Sequence, residues 1–386
     1  MRFPQVSHAG FGAARAVLFA CLRRHAGLLA LLLSAGSIAA LAGAQPAHAL
    51  CLNPPCPAPS NIADINIGSV NALFDRAAHF TAQIGKQWSP GWNAAAAFNP
   101  GGGGADADSG AATHPRYRIW SEGYYSQSRT DPSARYSGDR RESYGGIVGL
   151  GASFSSGLSA GVSLDQARTE MQITGQAQTS EIDLTQVAAN LSFDSGPWTF
   201  SAAGIHGFGR IDASRFDDGG QSTADYGTSL WGVVGEISYH WSRDNWRIVP
   251  KGGIDWTAAS VDSFAETGGL TRVSATTSDS SRTRVYGTLE LGYTGRAGST
   301  VYDIAVYGKA IEIVDQDPGV MFVRPVSPTI LPRTVPGVSD SGFEFATGAS
   351  LSLLATEKIR LYAVYDGRFR DNFQSHAGTA GLEFRW

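Results

Sequence analysis

From residue 117 to residue 386, apolar and polar positions alternate with a period of two. That is the pattern of strands with one wet face and one apolar face. Twelve segments carry it: 117–128, 142–154, 158–169, 180–193, 198–209, 226–241, 246–258, 283–294, 300–311, 342–354, 359–369 and 374–386. In 283–294, Val285, Gly287, Leu289, Leu291 and Tyr293 share one face, while Thr288, Glu290 and Thr294 share the other. In 359–369, Ile359, Leu361, Ala363 and Tyr365 oppose Arg360, Asp366 and Arg368. In the last segment, Ala380, Leu382, Phe384 and Trp386 oppose Thr379, Glu383 and Arg385. The segment 180–193 loses phase near Gln186, which predicts a bulge or a displaced boundary there.

The links between segments alternate as well. Residues 155–157, 194–197, 242–245, 295–299 and 355–358 are short and built from turn formers. Residues 129–141, 170–179, 210–225, 259–282 and 312–341 are long, and only the last link at that end, 370–373, is short. Short links at one end and long ones at the other fit an outer-membrane barrel, with tight periplasmic turns and larger outer loops. A soluble sandwich or lipocalin-like barrel alternates in the same way but turns its apolar face inward. The even strand number favours the membrane barrel, and so do Glu290, Glu383, Arg360 and Arg385 on the polar face. Those charges are too many for a packed soluble core but suit a watery lumen. Aromatic residues at expected strand ends (Tyr239 and Trp241, Trp198 and Phe200, Tyr124 and Tyr125) suit an interfacial girdle. The expected fold is an all-β, 12-stranded antiparallel transmembrane barrel over 116–386.

Residues 50–115 read differently. Val70, Leu73, Phe74, Ala77, Phe80 and Ile84 recur at helical spacing, which predicts a helix over 69–85 with Ser69 as its cap and Gly85 as its stop. Pro90, an alanine run and the glycines at 101–104 then read as a flexible linker.

Before residue 50, Arg2, Arg15, Arg23 and Arg24 precede the apolar stretch 26–44, and Ala47-His48-Ala49 follows. This is the layout of a signal peptide (1–49) cleaved between Ala49 and Leu50. An uncleaved anchor is the other reading of the apolar run. In an exported chain, Cys51 and Cys56, five apart across Pro54-Pro55, read as a small disulfide loop. A metal site would need two ligands beyond them, and His79 alone does not supply these.

Composition narrows the classes further. The chain has 386 residues, 17% charged and 10% aromatic, with 47 Gly. That is too aromatic and too poor in charge for a disordered chain. Beyond the N-terminus no apolar run is long enough for a spanning helix. Without the four arginines that precede Leu50, 26 basic residues face 34 acidic ones, a net charge of −8 with no basic stripe, which argues against nucleic-acid partners.

Candidate chemistry is sparse. Glu236, Ser238 and His240 share one parity, and a Ser-His pair is the raw material of an esterase. Positions i and i+2 on one strand, however, rarely bring Oγ within reach of the ring, His240 falls at the periplasmic end, and the expected role is a lumen or rim hydrogen bond. His206, beside Phe208, is expected on the lipid face near the outer rim, and His376 at the opening of the last strand. Residues 101–106 match one copy of a calcium-binding G-G-x-G-x-D repeat, which cannot build the stacked site alone. No catalytic residue and no cofactor is expected.

The chain resembles the C-terminal translocator domain of autotransporters, the type Va secretion proteins of Gram-negative bacteria. The resemblance covers 117–386 and rests on E-S-Y-G-G-I-V-G-L-G-A-S-F at 142–154, G-L-S-A-G-V-S-L-D at 157–165, I-D-W-T-A-A-S-V-D-S-F-A-E-T-G-G at 254–269 and the final block 361–386. It implies an outer-membrane barrel whose last strand, through Leu382, Phe384 and Trp386, carries the signal read by the barrel-assembly machinery. It implies export through the Sec translocon, insertion in the lipid bilayer, and a helix that plugs the pore, for which 70–84 is the candidate. The family's usual passenger is a long β-helix, whereas only residues 50 to 68 lie between the expected cleavage site and the candidate helix. The Asn-Asn pair that some members cleave is missing from 70–84, which speaks against self-cleavage. The functional expectation is a barrel that translocates or displays a short N-terminal segment and long loops, without a chemical step. The alternatives are a passenger-less barrel whose loops meet a host or surface ligand, and a barrel-borne hydrolase.

Overall fold

Alternating apolar and polar residues lay down twelve long strands, which close on themselves. The computed structural model describes residues 62–88 and 116–386, except 155–156, 218, 299, 326–331, 340–341 and 357. Ala49, Leu50, Cys51, Cys56 and the glycines at 101–104 lie outside the described residues. Helix α1 (Ile62–Trp88) comes first. The barrel follows with β1 (Arg116–Thr130), β2 (Asp139–Ser153), β3 (Leu158–Ile173), β4 (Gln178–Ser195), β5 (Trp198–Asp217) and β6 (Gly220–Tyr239). After a short β7 (Trp241–Arg243) it continues with β8 (Trp246–Val261). The link after β8 holds β9 (Phe264–Ala265), β10 (Thr267–Gly268) and β11 (Val273–Ala275). Next come β12 (Ser278–Ala297) and β13 (Thr300–Asp317), then β14 (Val320–Pro325) and β15 (Arg333–Pro336) in the following link. Strands β16 (Phe343–Leu354), β17 (Ile359–Arg370) and β18 (Phe373–Arg385) complete the wall. Every long strand pairs antiparallel with its neighbour in sequence, and β18 pairs with β1, so the sheet has no free long edge.

The faces are distributed as in a membrane barrel. On β18, Leu382 is 48% exposed while its neighbour Glu383 is 0% exposed. Outward positions such as Leu191, Phe200, Trp231, Ile254, Leu289 and Val306 are exposed and apolar. Glu122, Asp165, Asp255, Arg284, Glu344 and Arg360 are buried inside. In a soluble barrel this arrangement would strand charges in a core and wet the apolar side chains. With lipid outside and polar partners inside it is the stable one.

Much of the glycine has a packing role. Trp120 lies over Gly149, Tyr124 over Gly145, Tyr286 over Gly253, Tyr307 over Gly348 and Tyr362 over Gly381. In each case the glycine is the direct cross-strand partner of the aromatic residue, and a Cβ there would collide with the ring. Large inward rings thus lie flat along the wall and leave the lumen open for the helix.

Several expectations are corrected. The helix runs 27 residues, Ile62–Trp88, so Ser69 and Gly85 are interior positions and not its cap and stop. The stripe at 70–84 underestimates it because α1 is enclosed: Ala63, Ile65 and Ile67 are buried as well. The strands are longer than the pattern shows. The links expected at 129–141, 170–179 and 210–225 contract to 131–138, 174–177 and 218–219. Toward that end the outward residues change from apolar to charged, as in Arg210 and Asp212 after Phe208, so the apolar count stops while pairing continues. At about 3.3 Å per residue and about 40° of tilt, the 20 residues of β5 rise about 50 Å, twice the ~25 Å apolar band. The expected break at Gln186 is absent. It is an inward residue on an unbroken ladder and donates from Nε2 to Asp165 Oδ2 at 2.8 Å. The register shift lies between Thr283 and Arg284 of β12 instead. Tyr124 points into the barrel and bonds Asp165 at 2.8 Å, so only Tyr125 of that pair faces outward.

Candidate functional site

The lumen is the candidate site, and α1 runs through it. At about 1.5 Å per residue the helix is about 40 Å long, more than the ~25 Å apolar band. It packs against β3 to β6 and β8. Leu73, Phe74, Phe80 and Ile84 are fully buried there. Gly68 permits a close approach to the wall, because a Cβ at that position would meet Met171 and the Tyr136 hydroxyl.

Polar contacts fix the direction of the helix. Near its start, Asp64 accepts from Ser137 Oγ at 2.9 Å and from Gln176 Nε2 at 2.7 Å, both in the connections at the long-strand end. Midway, Asp75 takes Arg141 of β2 at 2.9 Å and Arg368 of β17 at 3.1 Å. Further along, Gln83 Nε2 donates to Thr379 Oγ1 at 3.2 Å, and Lys86 meets Asp366 at 2.7 Å. Near its end, Arg118 donates to the backbone carbonyl of Gln87 at 2.9 Å. Arg118 lies at the start of β1, beside Tyr117, whose backbone exchanges two hydrogen bonds with Trp386. The helix therefore starts at the long-strand end and finishes at the short-turn end.

At the long-strand end two links fold into a lid. Strands β9, β11, β14 and β15 form a separate four-stranded sheet. Met321, Val323, Val273 and Ala275 are buried in the same apolar cluster as the helix. The lid is tied to the wall by Glu266, which takes Nε and Nη2 of Arg215 at 2.7 Å each and the Val273 amide at 2.8 Å. Phe264 stacks on Tyr226 of β6 with 4.4 Å between ring centroids.

Ser238 Oγ and His240 Nε2 are 3.1 Å apart, so these two residues do come within reach, contrary to the expectation from their spacing. His240 follows the end of β6, where the chain leaves the strand and the ring turns back. The same ring nitrogen also faces Thr199 Oγ1 at 3.3 Å. Asp194 is taken by Thr199 at 2.5 Å and Glu236 by the Tyr286 hydroxyl at 3.0 Å, so neither acid orients the imidazole. His206 lies on the outward face against Trp231, 4.1 Å between ring centroids. His376 Nδ1 is 2.7 Å from the Tyr365 hydroxyl on the outer surface of β18. Among the described residues no group of three or more His, Cys, Asp or Glu is placed to hold a metal ion. Leu382, Phe384 and Trp386 all face outward, with the Phe384 and Trp386 rings stacked at 5.8 Å.

A closed twelve-strand wall, apolar outside and charged inside, with a helix threaded through it, defines a plugged outer-membrane barrel. The chain belongs to the autotransporter family: the family's sequence model, the autotransporter beta-domain, matches residues 119–366. The fold is similar to the translocator domain of the autotransporter NalP from Neisseria meningitidis, at 13% identity and a TM-score of 0.58, over 81% of this chain and 98% of that one. It is also similar to the beta domain of the Bordetella autotransporter BrkA, at 17% identity and a TM-score of 0.52, over 69% of this chain and 98% of that one. No protein of curated function matches the sequence. The protein resides in the outer membrane, and its family membership implies insertion in the bilayer with the assembly machinery.

Sequence reasoning missed the lid and the ion pairs that seat the helix. Asp75, Arg76 and Lys86 are charges within an otherwise buried helix, and that was the available signal.

Proposed function

We propose that the barrel carries its own N-terminal segment to the cell surface and then holds α1 in the lumen as a plug, with no chemical step. One observation carries this reading: the helix starts among the long-strand connections and ends beside Arg118 at the short-turn end. In an outer-membrane barrel short turns face the periplasm, so the first turn of α1 lies toward the outer side. Upstream of that step, the reading includes Sec export, cleavage between Ala49 and Leu50, and a Cys51–Cys56 loop on the emerging segment. Leu382, Phe384 and Trp386 give the assembly machinery an outward apolar column on the strand that closes the barrel.

The test is an epitope tag between Leu50 and Pro54 in intact cells, beside a tag in the 326–331 link of the lid. Both tags accessible to antibody supports outward display. A lid tag that is accessible with an N-terminal tag that is not would overturn it.

A second reading is favoured by the outer face of the lid. Val320 and Phe322 of β14 are exposed there on the same face as exposed Arg324. A surface ligand that contacts this face would make the barrel a loop-based adhesin. Loss of cell binding on Phe322→Ser, with unchanged barrel levels, checks it.

A further inference from the structure

The helix does not fill the lumen evenly. It packs on β3 to β6 and β8, and on the opposite side a cavity of about 80 Å³ remains between α1 and the wall. Volume of that size admits several waters or one tetrahedral anion. Alanines 72, 78 and 82 of the helix open the space, and hydroxyls line the wall across from them, Ser126, Ser128 and Ser375 among them.

Most of the charges around this cavity are paired. Asp75 is shared by Arg141 and Arg368, and Asp366 is taken by Lys86 and the Tyr307 hydroxyl. Arg284 has Asp255, and Arg368 also has Glu344. Two cations that line the cavity are bonded to no carboxylate among the described residues. Arg76 is 5% exposed, and its Nη1 has no hydrogen-bond partner, while Nη2 has a 3.4 Å contact to Ser126 Oγ and Cζ lies 5.2 Å from the centroid of the Tyr124 ring. Asp165, behind Tyr124, has its two oxygens occupied by the Tyr124 hydroxyl and Gln186. Lys309 has its Nζ over the Tyr286 ring, 3.5 Å from the centroid, and no carboxylate among the described residues bonds it. His79 Nε2 is a further buried atom on the cavity without a partner. A buried guanidinium nitrogen left unbonded is costly.

We propose that this cavity is a binding site for a small inorganic oxyanion of the phosphate class, held between Arg76 on the helix and Lys309 on β13. Hydroxyls complete the shell, because serines donate to an oxyanion as readily as they accept from a guanidinium. The anion is an ionic pin. It joins the plug to the wall on the side where the helix has least apolar contact, and it gives Arg76 and Lys309 a charged partner in direct contact. Because the site exists only when α1 is seated, binding stabilises the plugged state by mass action.

The experiment uses the full chain folded in detergent, with inorganic phosphate titrated against chloride at constant ionic strength and pH. The loss of protease protection of α1 on heating is followed. The proposal expects a saturable rise in the temperature of that loss, absent in both Arg76→Gln and Lys309→Gln and retained in the surface variant Arg129→Gln. Heat-dependent migration on gels confirms that each variant barrel is folded. No rise in the wild type, or an equal rise in the Arg76→Gln and Lys309→Gln variants, overturns it. A second measurement needs no variant: crystals grown in selenate should show anomalous density in the cavity, and density for water alone overturns the proposal.

Discussion

Asp75 of α1 and Arg368 of β17 meet at 3.1 Å inside the lumen. The second oxygen of Asp75 takes Arg141 of β2 at 2.9 Å. Strands β2 and β17 flank the closing pair β1 and β18, so one carboxylate clips the helix to both sides of the seam.

Asp75→Ala should therefore unseat the helix without opening the barrel. Two charge-assisted bonds are lost, about 1–3 kcal/mol of seating energy. Arg141 and Arg368 keep Asp139 and Glu344, so the wall stays paired. Limited proteolysis should cut within α1 in the variant at protease levels that spare the wild type, while the barrel still migrates as a folded species. Asp75→Glu should recover part of the protection.

Gly381→Val tests the pairing of rings with glycines. The new side chain would occupy the place of the Tyr362 ring, whose hydroxyl bonds Glu122 at 2.9 Å. Overpacking of this kind costs about 1–3 kcal/mol. The pair Tyr362↔Gly381 lies on β17 and β18, next to the closing seam. Folding yield should fall, and Gly381→Val with Tyr362→Ala should restore part of it. Equal yields for wild type and Gly381→Val would contradict the packing account.

How far the fold was legible depended on the environment of each face. Between Phe200 and Phe208 the outward residues of β5 meet lipid, so the alternation was plain. Beyond Phe208 the apolar residues Ile211 and Ala213 face inward while the outward positions are Arg210 and Asp212, and the strand continued unseen. The first two turns of α1 were missed for a related reason, since a helix enclosed on all sides has no single stripe to count. The lid was invisible because β9, β11, β14 and β15 are two to six residues long and pair across two different links. For the site, sequence supplied the charged inward parity of Arg360, Arg368 and Glu383 but not which charge on the helix each wall residue would meet. The Ser238–His240 contact shows the opposite failure: its spacing argued against a contact that the end of β6 allows.

Glu266→Gln should loosen the lid. Glu266 is buried and takes two nitrogens of Arg215 together with the Val273 amide. An amide has one acceptor oxygen and so cannot replace the pair. Hydrogen exchange at 264–275 should accelerate by tenfold or more, corresponding to about 1.4 kcal/mol, with exchange in β16 to β18 unchanged.

Removal of residues 62–88 should convert a closed barrel into a conducting one. The wall left behind is lined with charges, among them Asp165, Asp255, Arg284, Lys309 and Glu344. In planar bilayers the deletion variant should show steady channels at voltages where the full chain is silent. Silence from the folded deletion variant would mean that the lid or wall side chains, and not α1, close the pore.

The polarity of the helix is most directly read by crosslinking in the membrane. In a chain with Cys51 and Cys56 replaced by Ser, Lys86→Cys is combined with either Asp366→Cys or Val338→Cys, and a short thiol-specific crosslinker is added to intact outer membranes. The Lys86–Asp366 ion pair at 2.7 Å predicts an efficient crosslink for the first combination and none for the second, since Val338 lies at the other end beside Ile67 and Val70. A crosslink from position 86 to position 338 would mean that the helix runs the other way. The N-terminal segment would then face the periplasm, and the account of its display at the surface would fail.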